Sequence, residues 1–261
     1  MNNSQRENDS TYTLGEIAGY YNTTWAQDHR RSSRLGWGYE QKRIHQTIFE
    51  FLRIRDGDRV LEIGCGKGDL TRKLSGAFAE LIAFDISPIG VDKARQHVDD
   101  TCDCHFLLSD ATTLPFRTNS FDVVVLSEVL EHVLDQERCI QEIHRVTRPG
   151  GRLMLTTPNT GGLHRNTQRL IHMLLRRSFI PRSSQIIDNP LPPSIMEQML
   201  QTHFMIEKKR GVLYTLPYLG NIGWSPLINL SNWISESIEQ RNLLPSYGLY
   251  QCFLCCAIKP Q

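Results

Sequence analysis

The sequence predicts an α/β fold, a doubly wound and mostly parallel sheet, on three observations. From residue 59 onward, strand-like and helix-like segments alternate, as they must where parallel strands are joined by helical crossovers. The first strand, Arg59–Ile63, runs into a glycine turn, Gly64-Cys65-Gly66-Lys67-Gly68. The apolar run Phe121–Leu126 has the composition of a central strand covered on both faces.

The elements follow in order. Residues 1–17 are polar and read as a disordered or fraying start. Residues 18–53 carry Tyr20, Tyr21, Trp25, Trp37 and Tyr39, then Ile44, Ile48, Phe51 and Leu52, which predicts a helical N-terminal cap over a ligand cleft. The domain division is 1–48 for start and cap and 49–261 for a single α/β domain. After the strand at 59–63 comes a helix over Asp69–Ser75, then a second strand, Leu81–Asp85. Pro88 opens the next helix at a position where its missing N–H costs nothing. His105–Leu108 is the third strand and Phe121–Leu126 the fourth. Glu137–Val146 has helical spacing and stops at Arg148-Pro149-Gly150-Gly151, and Arg152–Thr157 is the fifth strand. About 160–245 is expected as a lid over the substrate side. Within it, 164–177 is a basic amphipathic helix, Ile195–Gln201 a short helix and Phe204–Arg210 a strand, while 213–245 shows no clean period. Leu249–Ile258 is a final apolar strand.

Composition bounds the function. The 261 residues suffice for one large α/β core, and a formal net charge of +1 supplies no field favouring nucleic acid or a membrane surface. The seven cysteines show no paired C-x-x-C, so a structural zinc site is not expected and reduced, cytoplasmic thiols are. No apolar leader opens the sequence, and no stretch reaches the roughly 18 apolar residues of a membrane span.

The glycine turn carries the first chemistry. A strand that stops at glycines and restarts as a helix leaves bare N–H groups at the carboxyl edge of the sheet, where open α/β sheets bind nucleotide-like ligands. The spacing is G-x-G-x-G, not the G-x-G-x-x-G of dinucleotide sites. Glu62 precedes it, and a carboxylate there suits an ammonium group and repels a pyrophosphate. S-adenosylmethionine combines an adenosine, an amino-acid end and a sulfonium with no phosphate. Asp85 closes the second strand, where a carboxylate accepts from ribose hydroxyls; capping the helix at Pro88 is its structural alternative. Asp110, after the third strand, is placed to accept from an adenine amine, with the Ala111 N–H donating to a ring nitrogen.

In sequence order, VLEIGCGKGDL, LIAFDIS, LLSDATTLPF, FDVVVLSEVLEHV and RVTRPGGRLMLTTPN resemble the motifs of class I S-adenosylmethionine-dependent methyltransferases. The resemblance is close over 50–160 and holds only in outline beyond. It implies a Rossmann-like sheet of seven strands in the order 3-2-1-4-5-7-6 with the last strand antiparallel. It also implies that Gly64, Cys65 and Gly66 wrap the methionine portion with Glu62 beneath its amino group. Asp85, with the adjoining Ile86, would hold the ribose, Asp110 and Ala111 the adenine end, and Ser127 would line the pocket. Methyl transfer needs no covalent enzyme intermediate, so Cys65 is not expected as a nucleophile.

Ser127-Glu128-Val129-Leu130-Glu131-His132 is the second constellation. As the start of a helix it would put Glu128, Glu131 and His132 on one face, at i, i+3 and i+4. Such a set can hold a divalent cation such as Mg2+. The E-x-x-E-H pattern resembles the ubiquinone-biosynthesis O-methyltransferases, the group most like this chain, and the small-RNA terminal 2′-O-methyltransferases; in both, these positions carry a metal near the accepting hydroxyl. Three roles remain open at this point: metal ligands, catalysis by His132 and Glu131 without metal, or structure. Residues 157–159 (TPN) lack the D/N-P-P-Y/F form of DNA amine methylases and glutamine methylases.

Arg165, Arg169, Arg176 and Arg177 flank Leu170, Ile171, Met173, Leu174 and Leu175. They form either a lid helix packed on the sheet by its apolar side or a contact with anionic lipid. LYTLPYLGNIGW at 213–224 suits a hydrophobic acceptor channel or a lid core. The expected function is O-methylation of a small, hydrophobic acceptor. Its rivals are a nicotinamide-dependent dehydrogenase, a non-catalytic module on the same fold, and an RNA 2′-O-methyltransferase.

Overall fold

The computed structural model describes residues 12–26, 37–75, 80–98, 103–174, 187–214 and 225–258. Its centre is a seven-stranded sheet of β1 (Arg59–Ile63), β2 (Glu80–Asp85), β3 (Cys104–Leu108), β4 (Phe121–Ser127), β5 (Thr147–Pro158), β6 (Phe204–Val212) and β7 (Tyr250–Ala257). The order across the sheet is β3-β2-β1-β4-β5-β7-β6. β1 through β5 are parallel, and β7 runs antiparallel to both β5 and β6. This is the order the resemblance implied. The range expected as a lid therefore also supplies the edge strand β6 to the sheet.

Helices cover both faces. On one, α5 (Gln136–Val146) and α7 (Pro193–Gln201) bury Ile140, Ile143, Met196 and Leu200 against β1, β4, β5 and β7. On the other, α2 (Trp37–Phe51) buries Ile44, Ile48 and Phe51 against Val60, Val123 and Met154. α2 was expected in the N-terminal cap; its Gly38, Gln41 and His45 line the cleft at the edge of the sheet, and its apolar residues at 44, 48 and 51 form one stripe that also covers the sheet. α3 (Thr71–Leu74) is one turn, shorter than the 69–75 expected. α4 (Pro88–His97) starts as predicted: Pro88 is at N1, and the Ser87 side chain accepts from the Gly90 N–H at 3.1 Å.

Three expectations are corrected. The disordered start was set at 1–17, yet α1 (Leu14–Ala26) already includes residues 14–17. Its cause is a capping box: the Thr13 hydroxyl accepts from the Glu16 N–H (3.3 Å) and the Glu16 carboxylate accepts from the Thr13 N–H (2.7 Å). Residues 1–11 lie outside the described residues. The stretch without clean period contains a sixteen-residue helix, α8 (Ser225–Gln240). The lid helix α6 (Leu163–Leu174) does not pack its apolar side on the sheet at Leu170, Met173 and Leu174, which are 49, 67 and 71% exposed; Leu175, Arg176 and Arg177 lie outside the described residues, as does the channel candidate from 215 to 224.

The cysteines at 65, 139, 252, 255 and 256 are free thiols. Cys252 and Cys255 are buried in β7, the terminal strand predicted at 249–258. Among the described residues, no helix is long and apolar enough to cross a membrane.

Candidate active site

The carboxyl ends of β1, β2 and β4 open into a cleft of about 1380 Å³. Every residue singled out for the cofactor lines it: Glu62, Gly64, Cys65, Gly66, Asp85, Ile86, Asp110, Ala111 and Ser127, together with Glu128, Glu131 and His132. Lining a common cleft is what the structure adds.

The glycine turn is held by backbone hydrogen bonds. The N–H groups of Gly64 and Cys65 both donate to the Phe84 carbonyl, at 2.8 and 2.9 Å. Gly64, Gly66 and Gly68 have φ of +72°, +51° and +86°, the left-handed region that favours glycine. Glu62 is fully buried below the turn, and its Oε2 has no hydrogen-bond partner among the described residues. Burial raises its pKa to about 7; the nearby Thr71 hydroxyl opposes the rise and the Asp85 carboxylate adds to it. An orphaned buried carboxylate oxygen is complementary to a cationic donor, which is the fit that an amino-acid ammonium group requires.

Asp85 holds two backbone N–H groups. One carboxylate oxygen accepts from the Gly66 N–H (2.8 Å) and the other from the Ser87 N–H (2.9 Å). It thus ties the glycine turn to the cap of α4. Each oxygen keeps a second lone pair, the pair a ribose diol would use. Asp110 closes a turn, accepting from the Thr112 N–H (3.0 Å) and hydroxyl (2.5 Å), with Ala111 buried beside it.

The 127–132 stretch departs from its expectation. It does not start a helix: Glu128 takes a left-handed φ of +56°, and only Leu130–His132 form a single 3-10 turn. The one-face alignment of Glu128, Glu131 and His132 is therefore lost. Glu128 accepts from the Thr156 hydroxyl (2.9 Å), which in turn shares a hydrogen bond with the Ser127 hydroxyl (3.0 Å). Glu131 accepts from the Thr157 hydroxyl at 3.3 Å. Burial raises the pKa of Glu131 to about 8 and, with the neighbouring Glu131 carboxyl, pushes Glu128 well above the carboxylate range. Among the described residues, no three carboxylate, imidazole or thiol side chains converge as a metal site. The set Glu128, Glu131 and His132 does not fit the divalent cation expected for it. Exhaustive chelation is accordingly expected to leave turnover unchanged; loss of activity that Mg2+ restores would contradict this.

His132 is placed differently from its neighbours. Its Nδ1 lies 2.7 Å from the Ile187 carbonyl. A carbonyl only accepts, so Nδ1 carries the proton and Nε2 keeps its lone pair. Nε2 is 3.6 Å from Glu131 Oε1, too far for a hydrogen bond. Burial lowers the pKa of His132, which keeps it neutral. The strap that holds it was not anticipated. The Asn189 N–H donates to the Glu131 carbonyl (2.9 Å), and the Gln136 amide donates to the carbonyls of Leu130 and Asn189, both at 3.0 Å. Backbone partners more than fifty residues away leave no mark on local sequence. Thr156 and Thr157 were also missed as partners, though both stand in a quoted motif.

Residues 61–155 match the family model described as a methyltransferase domain. Over that stretch the chain is similar to methyltransferase domains. Human mitochondrial ubiquinone biosynthesis O-methyltransferase is 28% identical over 191 residues, covering 71% of this chain and 51% of that protein. The ubiquinone/menaquinone biosynthesis C-methyltransferase UbiE of Ectopseudomonas mendocina is 32% identical over 146 residues, 54% of this chain and 56% of that protein. The chain spans about half the length of the curated relatives it matches. Among solved structures, the N-methyltransferase NodS of Bradyrhizobium japonicum in complex with S-adenosylhomocysteine has the same fold, with a TM-score of 0.58 at 15% identity, covering 93% of this chain and all of that one. The matched stretch of the methyltransferase domain holds every cofactor candidate named above, whereas α1 and the 187–189 strap lie outside it.

Proposed function

We propose that the protein is an S-adenosylmethionine-dependent methyltransferase that O-methylates a small, hydrophobic acceptor. The orphaned Glu62 carboxylate beneath a glycine turn that Asp85 anchors carries this reading. When bound, S-adenosylmethionine supplies a methyl group already activated by its sulfonium. The protein then has to align, desolvate and remove a proton. Glu62 takes the ammonium group, Asp85 the ribose with Ile86 beside it, and Asp110 with Ala111 the adenine end. Gly64, Cys65, Gly66 and Ser127 shape the remainder of the pocket.

His132 Nε2 accepts the proton of the acceptor hydroxyl, and Glu131, 3.6 Å away, stabilises the resulting imidazolium only where its raised carboxyl is ionised, towards pH 8 and above. Leu14, Ile17, Tyr20, Leu249 and Tyr250 give the cleft an apolar side, which favours an acceptor with a greasy body. Arg169 beside the exposed Leu170, Met173 and Leu174 supports peripheral membrane contact through α6. The near-neutral charge supports no nucleic-acid partner. Residues 1–48 serve as start and cap, and 49–261 as the catalytic domain, in a cytoplasmic enzyme.

Titration calorimetry of the full chain tests the reading. S-adenosylhomocysteine is expected to bind and NADH to give no heat, and Asp85→Ala should weaken S-adenosylhomocysteine at least about tenfold, the equivalent of roughly 1.4 kcal/mol. Binding of NADH in its place would assign the cleft to a dehydrogenase. Silence with S-adenosylmethionine and its product alike would end the methyltransferase reading. Carbon or oxygen as the accepting atom is read from the NMR spectrum of the methylated product.

A further inference from the structure

The cleft divides along the sheet. With the methyl donor over the ends of β1 and β2, the acceptor is left the half over the ends of β4 and β5 and the start of β7, where Tyr250 pairs with Pro158. Most polar groups of that half already have partners. The Asn159 amide nitrogen donates to the carbonyls of Ser246 and Gly248, both at 2.8 Å, and its oxygen accepts from the Gly161 N–H at 2.8 Å. The Tyr250 hydroxyl donates to Glu40 at 3.1 Å. Arg165, in the first turn of α6, lines the same half and makes no hydrogen bond or ion pair among the described residues.

A guanidinium stays charged at any working pH and presents a fork of donors that matches a carboxylate. The other lysine and arginine side chains lining the cleft, among the described residues, are Lys67, 3.6 Å from Asp69, and Lys93 on α4. Both belong to the donor half, which leaves Arg165 as the cation of the acceptor half. Its position is fixed: the Leu163 N–H donates to the Tyr247 carbonyl at 2.8 Å, and a Cβ on Gly162 would run into the Gly248 carbonyl. Burial keeps Glu128 and Glu131 protonated near neutral pH, so they do not repel an anion there. Asp188, the remaining acid, is exposed and screened by water and salt. A fixed, unspent cation beside the apolar Leu249 and the Tyr250 ring is complementary to a greasy acid.

We propose that the acceptor is a hydrophobic hydroxy acid, whose carboxylate Arg165 takes on the β5–β7 side of the cleft while its hydroxyl meets His132. This deepens the proposed function and rests on it.

Three probes built on one alkylated phenol test it: one carries a ring carboxylate, one the methyl ester of that carboxylate, and one an aminomethyl group in its place. Methyl transfer from S-adenosylmethionine to each is followed with the full-length protein, wild type, Arg165→Gln and Arg165→Lys. The wild type should favour the acid over the ester by about tenfold or more in kcat/KM, the worth of one charge-assisted contact. Arg165→Gln should raise KM for the acid by a similar factor with kcat unchanged and leave the ester untouched. Arg165→Lys, which keeps the charge and loses the fork, should fall between. Unchanged affinity of both variants for S-adenosylhomocysteine shows that the fold and the donor half are intact. No preference for the acid, equal losses on all three probes, or turnover of none by a protein that binds S-adenosylhomocysteine overturns the acid site; preference for the ammonium probe overturns it in favour of Asp188. A wild-type protein that does not bind S-adenosylhomocysteine refutes the methyltransferase reading instead.

Discussion

Replacing His132 by alanine is expected to lower kcat by about 10²–10⁴-fold, the usual worth of a positioned general base, with cofactor affinity nearly unchanged. The geometry assigns the proton. Ile187 offers His132 Nδ1 a carbonyl at 2.7 Å, so the ring is held in the tautomer with Nε2 as acceptor. Burial lowers the pKa of the ring. A base works when unprotonated, so activity falls as pH drops through that pKa. Because the pKa is depressed in the ligand-free protein, the acid limb of the kcat/KM profile lies below the ordinary histidine value of about 6.5. The alanine variant should lack that limb. Full turnover in His132→Ala, or an acid limb that survives the substitution, would remove His132 as the base. Removal of a proton-accepting group lowers kcat and kcat/KM together, whereas loss of mere binding raises KM alone; steady-state kinetics therefore separates the two.

Gly64→Ala is expected to damage both stability and cofactor binding. The residue has φ of +72°, a region that costs an L side chain about 1–2 kcal/mol. A Cβ there would lie 2.3 Å from Val129 Cγ2 and 3.0 Å from its Cγ1. Valine is stiff about χ1 and has no flexible end to swing away, and overpacking of this kind costs about 1–3 kcal/mol. The glycine turn cannot retreat easily, because Gly64 and Cys65 both donate to the Phe84 carbonyl. Either that pair of bonds breaks, or Val129 moves and takes Glu131 and His132 with it. At roughly 2–4 °C per kcal/mol for a chain of this size, thermal unfolding should register the change clearly. A variant that melts and binds S-adenosylhomocysteine like the wild type would show that the turn is more compliant than its contacts indicate.

Much of this site was legible before folding. The strands β1 to β5, the glycine turn and the acids at 62, 85 and 110 are local signals. Each is a short run of apolar residues, glycines or a carboxylate at a strand end, and such runs act within a few residues of themselves. The Thr13-x-x-Glu16 box was equally local, but it lay in a polar start whose composition suggested disorder. Two failures were of another kind. α8 hides from a periodicity search because it is inverted: Ser235 and Glu239 are buried, while Trp233 is 66% exposed. Glu239 accepts from the Leu213 N–H (2.9 Å) and pairs with Arg43, and Ser235 accepts from the Tyr214 N–H (2.8 Å). A polar helix face turned inward toward backbone donors does not look amphipathic. Glu128 failed for a conformational reason. Its spacing with Glu131 and His132 is helical on paper, but a left-handed residue at the end of β4 breaks the phase.

The amino-acid sequence by itself determined the sheet, the cofactor turn and the identity of the residues along its rim, because apolar run length, glycine and carboxylate placement act over short distances. Only the folded chain decided how the chemistry is armed. The His132 tautomer depends on a carbonyl at 187, and Tyr21 and Trp25 line the cleft only because α1 docks against α4 and the glycine turn. The physical reason is that a hydrogen bond is directional and needs its partner within about 3 Å. When the partner is distant along the chain, chain closure alone brings it there.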